Sequence, residues 1–120
     1  ELILIVAEEE AVRSVTKRIL ESHGYRTLIA TQGTQAVACY LERGYEISVV
    51  LTDLHMPDMD GIEAISVLRQ INPRVKIIVV TGAGSAMGAP TGEEMGVQAY
   101  IKKPFDVIHL LGTLHDVLVA

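Results

Sequence analysis

Five short runs of aliphatic and β-branched residues, with helical patterns between them, constrain the fold of this chain more than any other feature. The runs occupy residues 2–6, 26–30, 47–52, 76–80 and 97–101. Apolar residues recur at helical spacing after the opening acidic stretch at residues 8–10, in residues 33–43, from 61 to 71 and in residues 107–118. Continuous apolar runs are typical of strands buried on both faces, and their alternation with helices favours parallel pairing. We therefore expect one α/β domain with a doubly wound, five-stranded parallel sheet flanked by helices.

Size and charge limit the classes of protein that the chain can belong to. Its 120 residues, 49% of them hydrophobic, can bury one core, so we expect a single domain over residues 1–120. A net charge of −5 without a basic patch argues against direct nucleic-acid binding, and the single cysteine, Cys39, excludes an internal disulfide. No apolar stretch approaches the roughly 20 residues that span a bilayer, and no secretion signal opens the chain, which predicts a cytoplasmic location. The predicted elements run to both ends without flanks, so we expect this domain to be a piece of a longer protein.

Polar side chains stand where four of the predicted strands end. They are Glu8, Asp53, Thr81 and Lys103, after the first, third, fourth and fifth strands. Because the carboxyl ends of parallel strands meet at one edge of a sheet, we expect these residues to lie within reach of one another. Two acids can bind Mg²⁺, while a hydroxyl and an ammonium can contact phosphoryl oxygens. The set therefore predicts a site at which Asp53 accepts a phosphoryl group.

Four blocks of sequence together resemble a response-regulator receiver domain. The blocks are residues 2–9, Asp53 with residues 56–61, residues 80–82 and residues 100–105. They cover essentially the whole chain, in the family's order and at its spacings. The resemblance implies a flavodoxin-like fold of the receiver type and a role as a phosphorelay switch in two-component signalling.

The resemblance also implies a role for each matched residue. Asp53 would accept the phosphoryl group from a histidine kinase or phosphotransfer protein and would hold Mg²⁺ together with Glu8 and the backbone carbonyl of His55. Lys103 would pair with the acceptor carboxylate and then with the phosphate. Thr81 would move toward the phosphate, and Tyr100 would rotate inward as an aromatic switch.

Such a domain assists its own phosphorylation and dephosphorylation but is not otherwise an enzyme. Its signal would reach an output domain in the parent chain or a second receiver in a dimer. Tyr100 has an equally good interpretation as a half-buried packing residue.

Two features depart from the family pattern. Ala7 stands where the family has the first of two acids, so we expect weaker Mg²⁺ binding, with Glu9 as a possible substitute ligand if the chain bends to aim it inward. Residues 82–96 contain five glycines and a proline where a helix is expected. Each glycine costs a helix interior roughly 1 kcal/mol and proline about 3, so we expect the fourth helix to be short or distorted.

Three other functions compete with the phosphoacceptor. A pseudo-receiver would keep the fold but act only as a protein-interaction module, and Ala7 favours it. A flavodoxin-like cofactor binder is disfavoured because the acids at residues 8–10 would repel a phosphate from the first loop. A hydrolase with an aspartyl-phosphate intermediate would need a second acid two residues after Asp53, where the chain has His55.

Overall fold

Five parallel strands form one sheet in the computed structural model, which describes residues 1–53, 61–81, 98–102 and 106–119. The strands are β1 (Leu2–Val6), β2 (Arg26–Ala30), β3 (Ile47–Asp53), β4 (Ile77–Thr81) and β5 (Ala99–Lys102). Their order across the sheet is β2-β1-β3-β4-β5. The order reverses beside β1, so the crevice between the ends of β1 and β3 is the switch point at which sheets of this type bind ligands. The predicted fold class is confirmed.

Four helices flank the sheet in the described parts of the chain. They are α1 (Glu10–Ser22), α2 (Gly33–Arg43), α3 (Gly61–Ile71) and the C-terminal helix α4 (Val107–Val119). None of them is long and apolar enough to cross a membrane. The short or distorted helix predicted between the fourth and fifth strands falls on residues 82–97, outside the described residues.

The observed boundaries differ from the predicted ones at a few strand and helix ends. β3 continues one residue further, because Asp53 still pairs with Val80. α1 begins at Glu10 because Glu9 is extended, with φ −76 and ψ 124, and serves as the N-cap. β5 begins at Ala99. Gln98, just before it, also bonds to Ile77, because its N–H donates to the Ile77 carbonyl at 2.9 Å and its side-chain oxygen accepts the Ile77 N–H at 2.6 Å.

Two of the described helices cover each face of the sheet, and the core is divided in two accordingly. The face under α2 and α3 buries alternate strand residues together with helix residues such as Tyr40 and Leu68. The opposite face, under α1 and α4, buries the other strand residues with Leu20 and Leu114. Burial on both faces explains why the strands read as continuous apolar runs rather than as alternating patterns.

Side-chain hydrogen bonds hold the helix ends to their neighbours. The Asn72 amide, just past α3, donates to the buried Tyr40 hydroxyl of α2 at 3.0 Å. Asp106 caps α4 by accepting the N–H of His109 at 2.7 Å. Lys76 donates to the carbonyl of Leu118 at 3.2 Å and so ties the start of β4 to the end of α4. The Asp106 and Lys76 bonds satisfy backbone groups that helix ends leave open, and all three bonds orient the helices on the sheet.

Candidate functional site

The ends of β1, β3 and β4 lie side by side at the carboxyl edge of the sheet and carry three of the predicted site residues. Asp53 is the last residue of β3 and pairs with Val80, so Thr81, the last residue of β4, comes one position further on. Val6 of β1 pairs with Thr52, and Glu8 follows two residues later. Neighbouring strands are about 4.8 Å apart, so the backbones of these three site residues converge on one edge.

Of the other predicted site residues, the structure describes the backbone of Tyr100. Tyr100 lies in β5 and pairs with Val79. Lys103 comes directly after Lys102, which pairs with Thr81 at the same edge, but Lys103 itself and His55 lie outside the described residues. The chemical roles assigned to all these residues remain predictions.

The loop between β1 and α1 presents three exposed acids, Glu8, Glu9 and Glu10. Its first peptide is tied to the sheet, because the N–H of Ala7 donates to the carbonyl of Ala30 at 3.1 Å. Glu9 makes no side-chain capping bond to α1, so its carboxylate does not bind the N-terminal N–H groups of this helix. Glu8 and Glu9 thus both stand in solvent beside the end of β3.

Arg13 of α1 bonds to this loop, and no motif in the sequence singles it out. One of its terminal nitrogens, Nη1, lies 2.8 Å from the carbonyl oxygen of Ala7 and 2.5 Å from that of Glu8. An arginine three residues into an amphipathic helix reads as an ordinary surface residue. It bonds to backbone oxygens, and every residue has one, so the amino-acid sequence does not reveal these contacts.

Ala7 is buried, with 4% of its surface exposed, where the family pattern has its first acid. It lines a small recess of about 10 Å³, partly open to solvent, between α1 and the ends of the central strands, and this is roughly the room that one water molecule needs. The other lining residues are Ile5, Val6, Val12, Leu51 and Val80, together with Thr16. Among the described residues of this lining, Thr16 is the one polar side chain and none is charged.

The residues at the edge suit Mg²⁺ by their chemistry. Glu8, two residues past the end of β1, and Asp53, at the end of the adjacent β3, supply two carboxylates, and Mg²⁺ typically takes one or two carboxylates and keeps several waters. The described side chains contain no cluster of three or more histidine, cysteine or acidic groups that could hold a metal by themselves. A site built here is therefore an open one, completed by backbone oxygen and water.

Among the described residues, one side chain has a clearly shifted pKa, and it lies at the opposite edge of the sheet. The Glu46 carboxylate bonds to Arg43 at the end of α2 and raises the pKa of that guanidinium. The pair precedes β3, whereas Asp53 ends it. Its charge therefore does not tune the candidate site.

Comparison with known proteins agrees with the fold. Residues 3–115 match the response regulator receiver domain family. The chain is 34% identical over 97% of its length to an uncharacterized transcriptional regulatory protein, YkoG, of Bacillus subtilis (strain 168). It is also 34% identical over 97% of its length to the sensor kinase CckA of Brucella abortus (strain 2308). It spans 50% of the first relative and 12% of the second.

A solved structure gives the same result in three dimensions. The CheX–CheY–BeF₃–Mg²⁺ complex from Borrelia burgdorferi superposes with a TM-score of 0.91 and 26% identity, over 99% of this chain and 90% of that one. This chain therefore belongs to the response regulator receiver domain family, whose members act in two-component signalling. The resemblance drawn from the sequence is confirmed.

Proposed function

We propose that this domain is a phosphoacceptor switch in which Asp53 takes a phosphoryl group from the phosphohistidine of a histidine kinase or phosphotransfer protein. The observation that carries the proposal is the register of the central strands. Asp53 ends β3 level with Val80, with Thr81 ending the next strand and Glu8 following the strand on the other side. The acceptor acid thus has a second acid on one side and a hydroxyl-bearing residue on the other.

The proposed reaction needs a nucleophile and charge neutralisation but no general base. A carboxylate oxygen of Asp53 attacks phosphorus, the phosphorus–nitrogen bond breaks, and its electron pair returns to the donor imidazole, which is then protonated from water. Thr81 donates its hydroxyl hydrogen to a phosphoryl oxygen, and the Lys103 ammonium pairs with another. Water later attacks phosphorus and breaks the bond to Asp53, which regenerates the carboxylate and resets the switch.

Receiver domains generally depend on Mg²⁺, and this chain has the oxygen donors to hold it in Glu8, Asp53 and the carbonyl of His55. When bound, the ion would supply the positive charge that offsets the negative phosphoryl oxygens. The relative from Borrelia is described in complex with BeF₃ and Mg²⁺, which supports a similar metal requirement here. Because the buried Ala7 contributes no carboxylate, the proposed affinity for Mg²⁺ is lower than in a receiver with both acids.

The wider setting is part of the same proposal. Receiver domains work with histidine kinases and with output domains, and the matched relatives are longer proteins described as a transcriptional regulator and a sensor kinase. We propose that this domain is likewise one part of a longer cytoplasmic signalling protein. Its phosphorylation would change the contacts that it makes with an output domain or a second receiver, with Thr81 and Tyr100 as the moving side chains.

Intact mass measurement tests the proposal directly. The protein is incubated with acetyl phosphate or phosphoramidate, with Mg²⁺ and with EDTA, beside an Asp53→Asn control. We expect the mass of one phosphoryl group to appear with Mg²⁺ only, and not in the control. Equal labelling of the control would assign the phosphate to another residue, and labelling in EDTA would remove Mg²⁺ from the mechanism.

A pseudo-receiver is the second candidate, and the apolar surroundings of Ala7 favour it. The residue is buried against a recess whose lining is aliphatic apart from Thr16, so the position cannot contribute a metal ligand. A pseudo-receiver would give no mass increase with either phosphodonor, even at Mg²⁺ concentrations well above those in cells. It would still bind its partner, and Asp53→Asn would leave that binding unchanged.

A further inference from the structure

Arg13 binds the backbone on both sides of Glu8. Its Nη1 lies 2.8 Å from the oxygen of Ala7 and 2.5 Å from that of Glu8, so each of the two hydrogens on this nitrogen has its own carbonyl acceptor. The peptide that precedes Glu8 and the peptide that follows it are therefore both fixed by one side chain. The bonds are charge-assisted, which makes them roughly twice as strong as neutral ones.

Few other bonds hold the backbone of the β1–α1 loop near Glu8. Glu9 does not cap α1 with its side chain. Backbone bonds hold the loop at its two ends, from the Ala7 N–H to Ala30 and from the Arg13 N–H to Glu9 at 3.1 Å. Between them, the Arg13 guanidinium is what orients the carbonyls of residues 7 and 8.

We propose that Arg13 is a positioning residue for Glu8, holding the backbone of this acid so that its carboxylate is aimed at the metal beside Asp53. The inference rests on the proposed function for its last step. It assigns Arg13 no contact with metal or phosphate. With Ala7 in place of an acid, Glu8 is the one carboxylate that the β1–α1 loop brings in the family's ligand position, so its orientation matters more than it would in a site with two.

A purely electrostatic role for Arg13 predicts the opposite change in Mg²⁺ affinity when this residue is removed. If Arg13 acted only through its positive charge, it would repel Mg²⁺, and its removal would tighten metal binding. If it positions Glu8, its removal weakens metal binding despite the lost repulsion. Losing a group that orients a metal ligand typically lowers the metal affinity about tenfold. Removing the repulsion of a screened surface charge raises the metal affinity by less than that.

The test compares Arg13→Met with Arg13→Lys and with Arg18→Met, which removes the same charge from an exposed residue of the same helix. Mg²⁺ binding is followed by amide chemical shifts in a titration without phosphodonor, and amide exchange of residues 8–10 is measured in EDTA. We expect Arg13→Met to raise the half-saturating Mg²⁺ concentration about tenfold and to speed exchange in the loop. Arg18→Met should do neither. Lysine keeps the charge but is one atom shorter, so it should restore binding only in part.

A phosphorylation assay separates positioning from general loss of structure. Arg13→Met should reach nearly the wild-type rate at saturating Mg²⁺, since Asp53 and its other partners are intact, while the Mg²⁺ needed for half that rate rises. Unchanged or tighter Mg²⁺ binding in Arg13→Met would overturn the inference. So would exchange in residues 8–10 no faster than in Arg18→Met. If the wild-type protein binds Mg²⁺ but takes no phosphate, the proposed function fails while the positioning role of Arg13 stands on the titration and the exchange data.

Discussion

Replacing Ala7 by aspartate should couple the stability of this domain to Mg²⁺. The side chain would enter a recess lined mostly by aliphatic groups, at a residue now only 4% exposed, and next to the acids at Glu8 and Asp53. A buried, unpaired carboxylate costs several kcal/mol, and the partial opening of this recess to solvent reduces that cost to about 2 kcal/mol. Without metal, Ala7→Asp should therefore be the less stable protein by that amount.

Mg²⁺ should narrow this difference in stability by an amount that follows from mass action. A metal present at 100 times its dissociation constant stabilises the folded state by about 2.7 kcal/mol. If the wild-type site binds about tenfold more weakly for want of this acid, the same metal concentration stabilises it by only about 1.4 kcal/mol. The gain from Mg²⁺ should thus be larger in Ala7→Asp by about 1.3 kcal/mol.

Urea unfolding followed by circular dichroism, in EDTA and in Mg²⁺, measures both quantities. Ala7→Asn is the matched control, because it introduces a polar group of the same shape without the charge. It should be destabilised in both buffers and gain no more from Mg²⁺ than the wild type. The reasoning is refuted if Ala7→Asp gains no more from Mg²⁺ than the wild type, or if Ala7→Asn gains as much as Ala7→Asp.

Three further changes test the packing that holds the site in place, each by urea unfolding. Tyr40→Phe removes the acceptor of the Asn72 amide and should cost about 1 kcal/mol, whereas Tyr45→Phe, at a residue 85% exposed, should cost nothing measurable. Asp106→Ala removes the N-cap of α4 and should cost about 1 kcal/mol; Asp106→Asn should recover most of it, and an equal loss would contradict the capping role. Gly44→Ala would set a Cβ 2.5 Å from the Tyr40 carbonyl oxygen, so we expect a loss of about 1–3 kcal/mol from the forced backbone shift; a neutral result would mean that the helix end yields freely.

The central strands of the sheet could be predicted from the sequence because they are buried on both faces. Such strands must be aliphatic at every position, and that makes them visible as continuous runs. Glycine and proline then mark the ends of helices, as at Gly44 after α2 and Asn72-Pro73 after α3. The charge of Asp53 ends the apolar run, so the sequence predicts a strand that stops at Thr52. Asp53 nevertheless belongs to the β3–β4 ladder, because pairing with β4 uses its backbone rather than its side chain.

The loop geometry at the site could not be predicted in the same way. The contacts of Arg13 depend on where the carbonyls of residues 7 and 8 point, and this is set by the path of the chain from β1 into α1. The recess beside Ala7 depends on how Val12 and Thr16 of α1 meet Leu51 of β3. Both arise from tertiary packing between elements, which a pattern along one segment does not encode.

The fold and the chemistry of this domain are determined by different residues, so they can change independently. The order of the strands and their aliphatic faces bring positions 8, 53 and 81 to one edge, whatever side chains those positions carry. Ala7 shows the consequence, since it is buried without loss of the fold while it removes an acid from the site. Membership of the receiver family therefore does not by itself establish phosphotransfer here. That function depends on whether one oriented carboxylate from the β1–α1 loop is enough for Asp53, and the orientation of that carboxylate is the property that Arg13 controls in our proposal.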